Sequence, residues 1–364
     1  MHFFIKSVKF MIYDFKSLPD RSTSGSLKWD SVRQEQGKTG LADGIVPLSL
    51  ADMELKTAPE IIEALSAFIK DDSVLGYTGP TPQYFSALMD WMERRHNWSM
   101  SPSWVHMSPG VVPALYASAK CFVKRGQGII IFSPVYHPFK KSIESSGRLA
   151  VEVDLLEDKG YYEIDWPAFE KAAQDKNNKA LMFCSPHNPV GRVWTKEELK
   201  KLSEICLEND IPVLSDEIHH DLIMPGHKHT VYATLSQAAA ENCVIYTAPS
   251  KSFNLAGLQT SNIIIPNPEL GEKFSNQMAA ASLRLPNAMG LVACRAAYGE
   301  GEAWLEELIL HINRNKELAE NFMSQYIPQI KISPMQGTYL QWWDCRALGM
   351  DYEKLGIFLK KKPC

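Results

Sequence analysis

Disulfide chemistry is the first thing this sequence lacks: its seven cysteines are odd in number, scattered, and form no CxxC pair. That excludes a disulfide framework and a thioredoxin-like motif, and the thiols read as reduced strand and helix residues of a cytoplasmic protein. Neither sign of charge dominates, since 38 Lys and Arg face 42 Asp and Glu for a net charge of −4. A basic footprint for nucleic acid is therefore missing, and the partner expected is a small molecule. No apolar run approaches the length needed to cross a bilayer, so no membrane association is expected. The opening MHFFIKSVKF has no long apolar core and no small-residue cleavage site, which excludes a secretory signal, and Met11 is an alternative start. Repeats and low-complexity tracts are absent. Gly126-Gln127-Gly128 lacks a third glycine and precedes its strand, so it is no dinucleotide fingerprint. His219, His220, His227 and His229 have neither the spacing nor the cysteine partners of a standard zinc site, and no metal is expected.

What is present is a set of short apolar runs that end in chemistry. Cys243 to Ala248, CVIYTA, reads as a buried strand, and Lys251 lies just beyond its carboxyl end in TAPSKSFNLAGLQTSN. Open α/β sheets bind ligands outside the carboxyl ends of their strands, where an amine can bond covalently to a carbonyl group. Gly128 to Phe139, GIIIFSPVYHPF, is a strand ending near Tyr136. Ala180 to Cys184 is another, breaking into SPHNPVGRVW around Asn188, whose amide can bond a ligand or its own turn. A helix from Thr195 to Asp210, with a capping box between Thr195 and Glu198, leads to IPVLSDEIHHDL and Asp216. Four successive strands thus end at Tyr136, Asn188, Asp216 and Lys251, separated by helices, which implies an α/β fold with a largely parallel sheet. Pro109 and Gly110 precede a small-residue helix whose amino end can take a phosphate. A ring, an amide, a carboxylate, an amine and a phosphate site at one edge are what pyridoxal phosphate requires.

The motifs PGVVPAL, PVYHPF, SPHNPVGRVW, SDEIHHDL, PGHKH and APSKSFNLAGLQTSNIIIP resemble the fold-type I pyridoxal phosphate enzymes of the class I/II aminotransferase superfamily. Within it they are most similar to the cystathionine β-lyase, or C-S lyase, branch, from about Ile12 to the end. The resemblance implies a three-layer sandwich with a mainly parallel central sheet and a smaller α+β domain. It makes Lys251 the Schiff-base lysine and the catalytic base, and Asp216 the partner of the pyridine nitrogen. Asn188 then bonds the ring oxygen and Tyr136 stacks on the ring. His219 stands three residues past the aspartate, where many relatives carry tyrosine. Gly110, Val111 and Val112 match the phosphate turn, Ser250 flanks the lysine, and Tyr77 of GYT resembles a tyrosine that reaches the phosphate of the other subunit of a homodimer.

Residues 50 to 288 are expected to form the large cofactor domain, and 1 to 49 with 289 to 364 a small one. Gln259 stands where many aminotransferases have a phosphate-binding arginine, as in the lyase branch. Relatives continue past FLKKK to an arginine motif resembling RLNIACPR that clamps the substrate α-carboxylate; its absence from these 364 residues reads as a truncation or frameshift. The activity implied is β-elimination from L-cystathionine or another S-substituted cysteine, in methionine biosynthesis, giving a thiol, pyruvate and ammonia. An aminotransferase, or a catalytically weak regulatory homologue of the same fold, is the alternative.

Overall fold

The computed structural model describes residues 13–36, 47–71, 74–283 and 285–361. Met11 and the apolar stretch from Ile45 begin outside the described residues.

Eleven strands occur among them: β1 (Val105–Ser108), β2 (Gly128–Ser133), β3 (Leu149–Asp154), β4 (Leu156–Asp158), β5 (Tyr161–Glu163), β6 (Asn178–Cys184), β7 (Val213–Asp216), β8 (Cys243–Thr247), β9 (Ser261–Ile264), β10 (Lys331–Ile332) and β11 (Trp343–Asp344). Seven of them build the central sheet in the order β1-β9-β8-β7-β6-β2-β3. The pairs from β8 across to β3 are parallel, and β9 runs antiparallel to both its neighbours. β4 with β5 and β10 with β11 form two separate antiparallel hairpins.

Both faces of the sheet are apolar because both are covered. Along β2, Ile129 and Ile131 join one buried cluster, whereas Ile130 and Phe132 join the other, the period-two alternation of a strand. The first cluster packs against the helices Val111–Phe122, Pro138–Ser145 and Pro268–Ala280 through Ala114, Leu115, Phe139, Ile143, Phe274 and Met278. The second packs against Pro82–His96, Trp166–Gln174, Lys196–Glu208 and Ala288–Glu300 through Leu88, Trp91, Phe169, Leu202 and Leu291. The result is a three-layer α/β sandwich. The capping box is formed, with the Thr195 hydroxyl accepting from Glu198 N at 3.1 Å and the Glu198 carboxylate accepting from Thr195 N at 2.7 Å.

One count from the sequence is corrected. The strands ending before Tyr136, Asn188, Asp216 and Lys251 are β2, β6, β7 and β8, four neighbours in the sheet, but β3 intervenes along the chain. LAVEVD escaped notice because it is an edge strand with only Val153 buried, so its pattern carries no core signal.

Two features seat the lysine-bearing segment. Phe253 stacks on Trp304, with centroids 6.0 Å apart, and lies 5.6 Å from Trp91, fixing the short helix Pro249–Ser252 against the core. The amino-terminal arm lies over the long helix Glu302–Tyr326, with Phe15 against Trp304 and His311. From the arm, Arg21 and Lys28 pair with Asp52 and Glu54. Residues 50 to 55 are thereby held at the mouth of the site.

Candidate active site

Strands β2, β6, β7 and β8 deliver their following loops to one cavity of about 230 Å³. Gly110, Val111, Val112, Tyr136, Asn188, Asp216, His219, Ser250 and Lys251 all line it. Tyr77 does not: it is 97% exposed, on the outside of this chain.

Lys251 Nζ donates to the Ala51 carbonyl at 2.7 Å, and the same oxygen accepts from the Tyr339 hydroxyl at 2.6 Å. Burial lowers the lysine's pKa, and the attraction of Asp216 and Asp52 offsets this only in part. The amine is thus closer to neutral than a surface lysine.

Asp216 is buried, and burial raises its pKa from 3.8 to about 7, against the opposing effects of the Ile218 N–H and Lys251. Its Oδ1 accepts from Ile218 N at 3.1 Å. The folded chain therefore holds a proton here that the unfolded chain has already lost. Between about pH 4 and 7, this residue makes the ligand-free fold less stable as pH rises. Urea denaturation of the ligand-free protein at pH 5 and pH 8 should show Asp216→Asn gaining on the parent by on the order of 1–3 kcal/mol across that interval. Parallel pH profiles for the two proteins would contradict the assignment.

The opposite wall is a helix start. Gly110 caps Val111–Phe122 with φ 110° and ψ 161°, a conformation suited to glycine, and offers no side-chain cap. The first-turn N–H groups have no intrahelical acceptor and point, with the helix dipole, toward an anion. The Ser108 hydroxyl fixes the turn by donating to the Gly110 carbonyl at 2.8 Å.

The remaining residues shape the space. Tyr136 N donates to the Asn188 carbonyl at 2.9 Å, tying the loops after β2 and β6 together. Asn188 N in turn donates to Cys184 Sγ at 3.3 Å. His219 is buried with Nδ1 unpartnered, its pKa pushed down to about 3 by burial and by Lys251 and His220, so the ring is neutral. It meets the Tyr339 ring edge-on at 5.8 Å.

Sequence reasoning missed the Ala51 carbonyl as the partner of the lysine, and the Tyr339 hydroxyl that donates to the same oxygen. Beyond Ala51 the cavity continues into a cleft of about 650 Å³ lined by Leu48, Leu50, Met53, Tyr339 and Trp343 among others. Among the described residues, no arginine lines the cavity or the cleft.

An acid, an amine of lowered proton affinity and an anion-binding helix start around one cavity are found in several enzyme families, and comparison with known proteins decides among them. The family model for aminotransferase class I and II matches residues 43–356. The chain belongs to this family. Among family members, cystathionine beta-lyase PatB of Bacillus subtilis is 39% identical over 96% of this chain and 89% of its own length. Cystalysin from Treponema denticola, whose crystal structure contains a pyridoxal 5'-phosphate cofactor, superposes with a TM-score of 0.94 at 45% identity, over 97% of this chain and 89% of that one. A pyridoxal-phosphate-bound C-S lyase from Staphylococcus hominis gives a TM-score of 0.88 at 28% identity, over 96% and 88%.

Proposed function

We propose that this family member is a pyridoxal phosphate-dependent carbon-sulfur β-lyase acting on L-cystathionine or a related S-substituted cysteine. The observation that carries the reading is the pairing of Lys251 and Asp216 in one cavity, the first with depressed and the second with elevated proton affinity.

The cavity fits the cofactor on its own chemistry. Asp216 is a buried acid with no cationic hydrogen-bond partner, which a protonated ring nitrogen would satisfy, and the uncapped start at Gly110, Val111 and Val112 suits a phosphate. Asn188 and Tyr136 would hold the ring, with His219 and Ser250 beside it. When bound, pyridoxal phosphate supplies an electron sink for negative charge at the substrate α-carbon. The chain's own part is proton handling and positioning. Lys251, its proton affinity lowered by burial and its amine held on the Ala51 carbonyl, accepts the α-proton. The β-carbon to sulfur bond then breaks with its electron pair leaving as thiolate, and the three-carbon fragment hydrolyses to pyruvate and ammonia. The cleft of about 650 Å³ beyond Ala51, lined by apolar residues such as Leu48 and Met53 and by charged ones such as Lys28 and Asp52, would take the departing sulfur substituent.

The wider reading is a cytoplasmic homodimer serving methionine biosynthesis, with residues 50–288 as the cofactor domain and the remainder as the small domain. In support of a dimer, Tyr77, Val74 and Leu75 are 97%, 73% and 71% exposed on this chain.

The deciding experiment measures pyruvate and free thiol from L-cystathionine with added cofactor and no keto-acid acceptor. Equal yields of both support the lyase. Product only when a keto acid is supplied would make the enzyme an aminotransferase. At the phosphate turn, Gly110→Ala forces a side chain into its strained conformation at a cost of about 1–3 kcal/mol. Cofactor retention should weaken roughly tenfold, measured by equilibrium dialysis, with the fold intact by circular dichroism.

A further inference from the structure

The turn that carries His219 continues into a second cluster that the reaction does not use. Asp221 is buried and accepts hydrogen bonds from Trp91 Nε1 at 3.2 Å, the Ser252 hydroxyl at 2.8 Å and His96 Nε2 at 2.8 Å. Its Oδ2 also lies 3.2 Å from His220 Nε2. The other nitrogen of His220 donates to the Glu217 carbonyl at 2.6 Å. That bond uses the Nδ1 proton and leaves Nε2 facing a carboxylate oxygen; burial works against a charge on the ring, but Asp221 outweighs it and raises the ring's pKa. His220 is only 1% exposed, and its Nε2 has no hydrogen-bond partner. The carboxylate thus favours positive charge at Nε2, which a proton or a metal ion seated between the two would supply.

The ligating atoms of His96, His220 and Asp221 lie within 4.8 Å of one another, and among the described residues no other such group of histidine, cysteine and acid side chains occurs. A cavity of about 290 Å³, lined also by Arg95 and His229, opens beside them and gives access from outside. We propose that His96, His220 and Asp221 form a binding site for a divalent transition-metal ion of the zinc class.

The donor set suits that ion, because zinc takes imidazole nitrogen and carboxylate oxygen and three protein ligands leave a fourth position for water. Supporting contacts are already in place. Glu217 orients the His220 ring, and the Trp91 indole and Ser252 hydroxyl can stay on the carboxylate while each oxygen turns its other lone pair to the metal. On binding, the metal displaces the His96 Nε2 proton. Arg95 Nε approaches Asp221 at 3.7 Å, but its guanidinium is paired with Glu302 at 3.2 Å and Glu306 at 2.6 Å, which disperses its charge. No spacing rule could find this site, because 125 positions separate His96 from Asp221.

The test uses the protein as purified, stripped with a chelator, desalted and titrated with zinc chloride against a chromogenic zinc chelator. The parent is expected to hold one zinc per chain and to melt at higher temperature as zinc is added. His220→Ala and His96→Asn should each bind at least about 10- to 100-fold more weakly and lose the thermal shift. If one variant does not fold, by circular dichroism, the other decides. A parent that holds no zinc overturns the site, leaving a proton between His220 and Asp221. Parent-like binding in a folded variant overturns it too.

Discussion

Lys251→Ala is expected to lower kcat/KM for L-cystathionine by roughly 10²- to 10⁴-fold, the range a positioned acid-base group contributes, and by more if the proposed lysine also anchors the cofactor covalently. The amine has no substitute. Among the groups lining the cavity it is the sole lysine, and His219 is held neutral with a pKa near 3, too weak a base to take its place. The variant should keep the parent's melting behaviour, because the lysine's packing is replaced on a helix already fixed by Phe253. Pyruvate release by the purified variant at more than a few per cent of the parent rate would remove Lys251 from the mechanism.

The second large effect is at Asp216. Asp216→Ala removes the only acid lining the cavity. If that acid keeps the ring nitrogen protonated, its loss weakens charge stabilisation in a site that excludes water, where one such group is worth on the order of 10²- to 10³-fold in rate. The decrease should appear in kcat more than in KM, because the charge develops only as the α-proton leaves. A steady-state comparison across pH 6 to 9 checks this, and a variant that loses only KM would show the acid to be a binding group alone.

The sequence showed these two residues because both close strong signals. CVIYT and VLS are fully buried strands, and each breaks at a polar residue followed by a turn. Asn188 and Gly110 were legible for the same reason, prolines and glycines marking the breaks. The strands β1 and β9 were not, since VHMS is mostly half-buried and SNII opens on two polar residues, so neither reads as an apolar run. Nor was the partner of the lysine. A backbone carbonyl has no side-chain identity, so nothing in SLADM could announce that Ala51 would accept a hydrogen bond from a group 200 positions away. The metal-competent cluster was hidden likewise, since its ligands come from the end of Pro82–His96 and the turn after β7. Tyr77 differs from all of these: its proposed role depends on a neighbouring subunit, and within one chain it touches no cavity.

The oxygen of Ala51 joins three parts of the chain, since Lys251 reaches it across 200 positions and Tyr339 across 288. That separation sets an order of events during synthesis. Emerging from the ribosome, the chain has completed every strand of the central sheet, and with them Asp216 and Lys251, well before Tyr339 exists. A nascent chain at that stage already carries the lysine and Asp216 but not the Tyr339 hydroxyl. Tyr339, whose hydroxyl shares the Ala51 carbonyl with the amine, is added only after the whole sheet, so the lysine's hydrogen-bonded setting is completed late in synthesis.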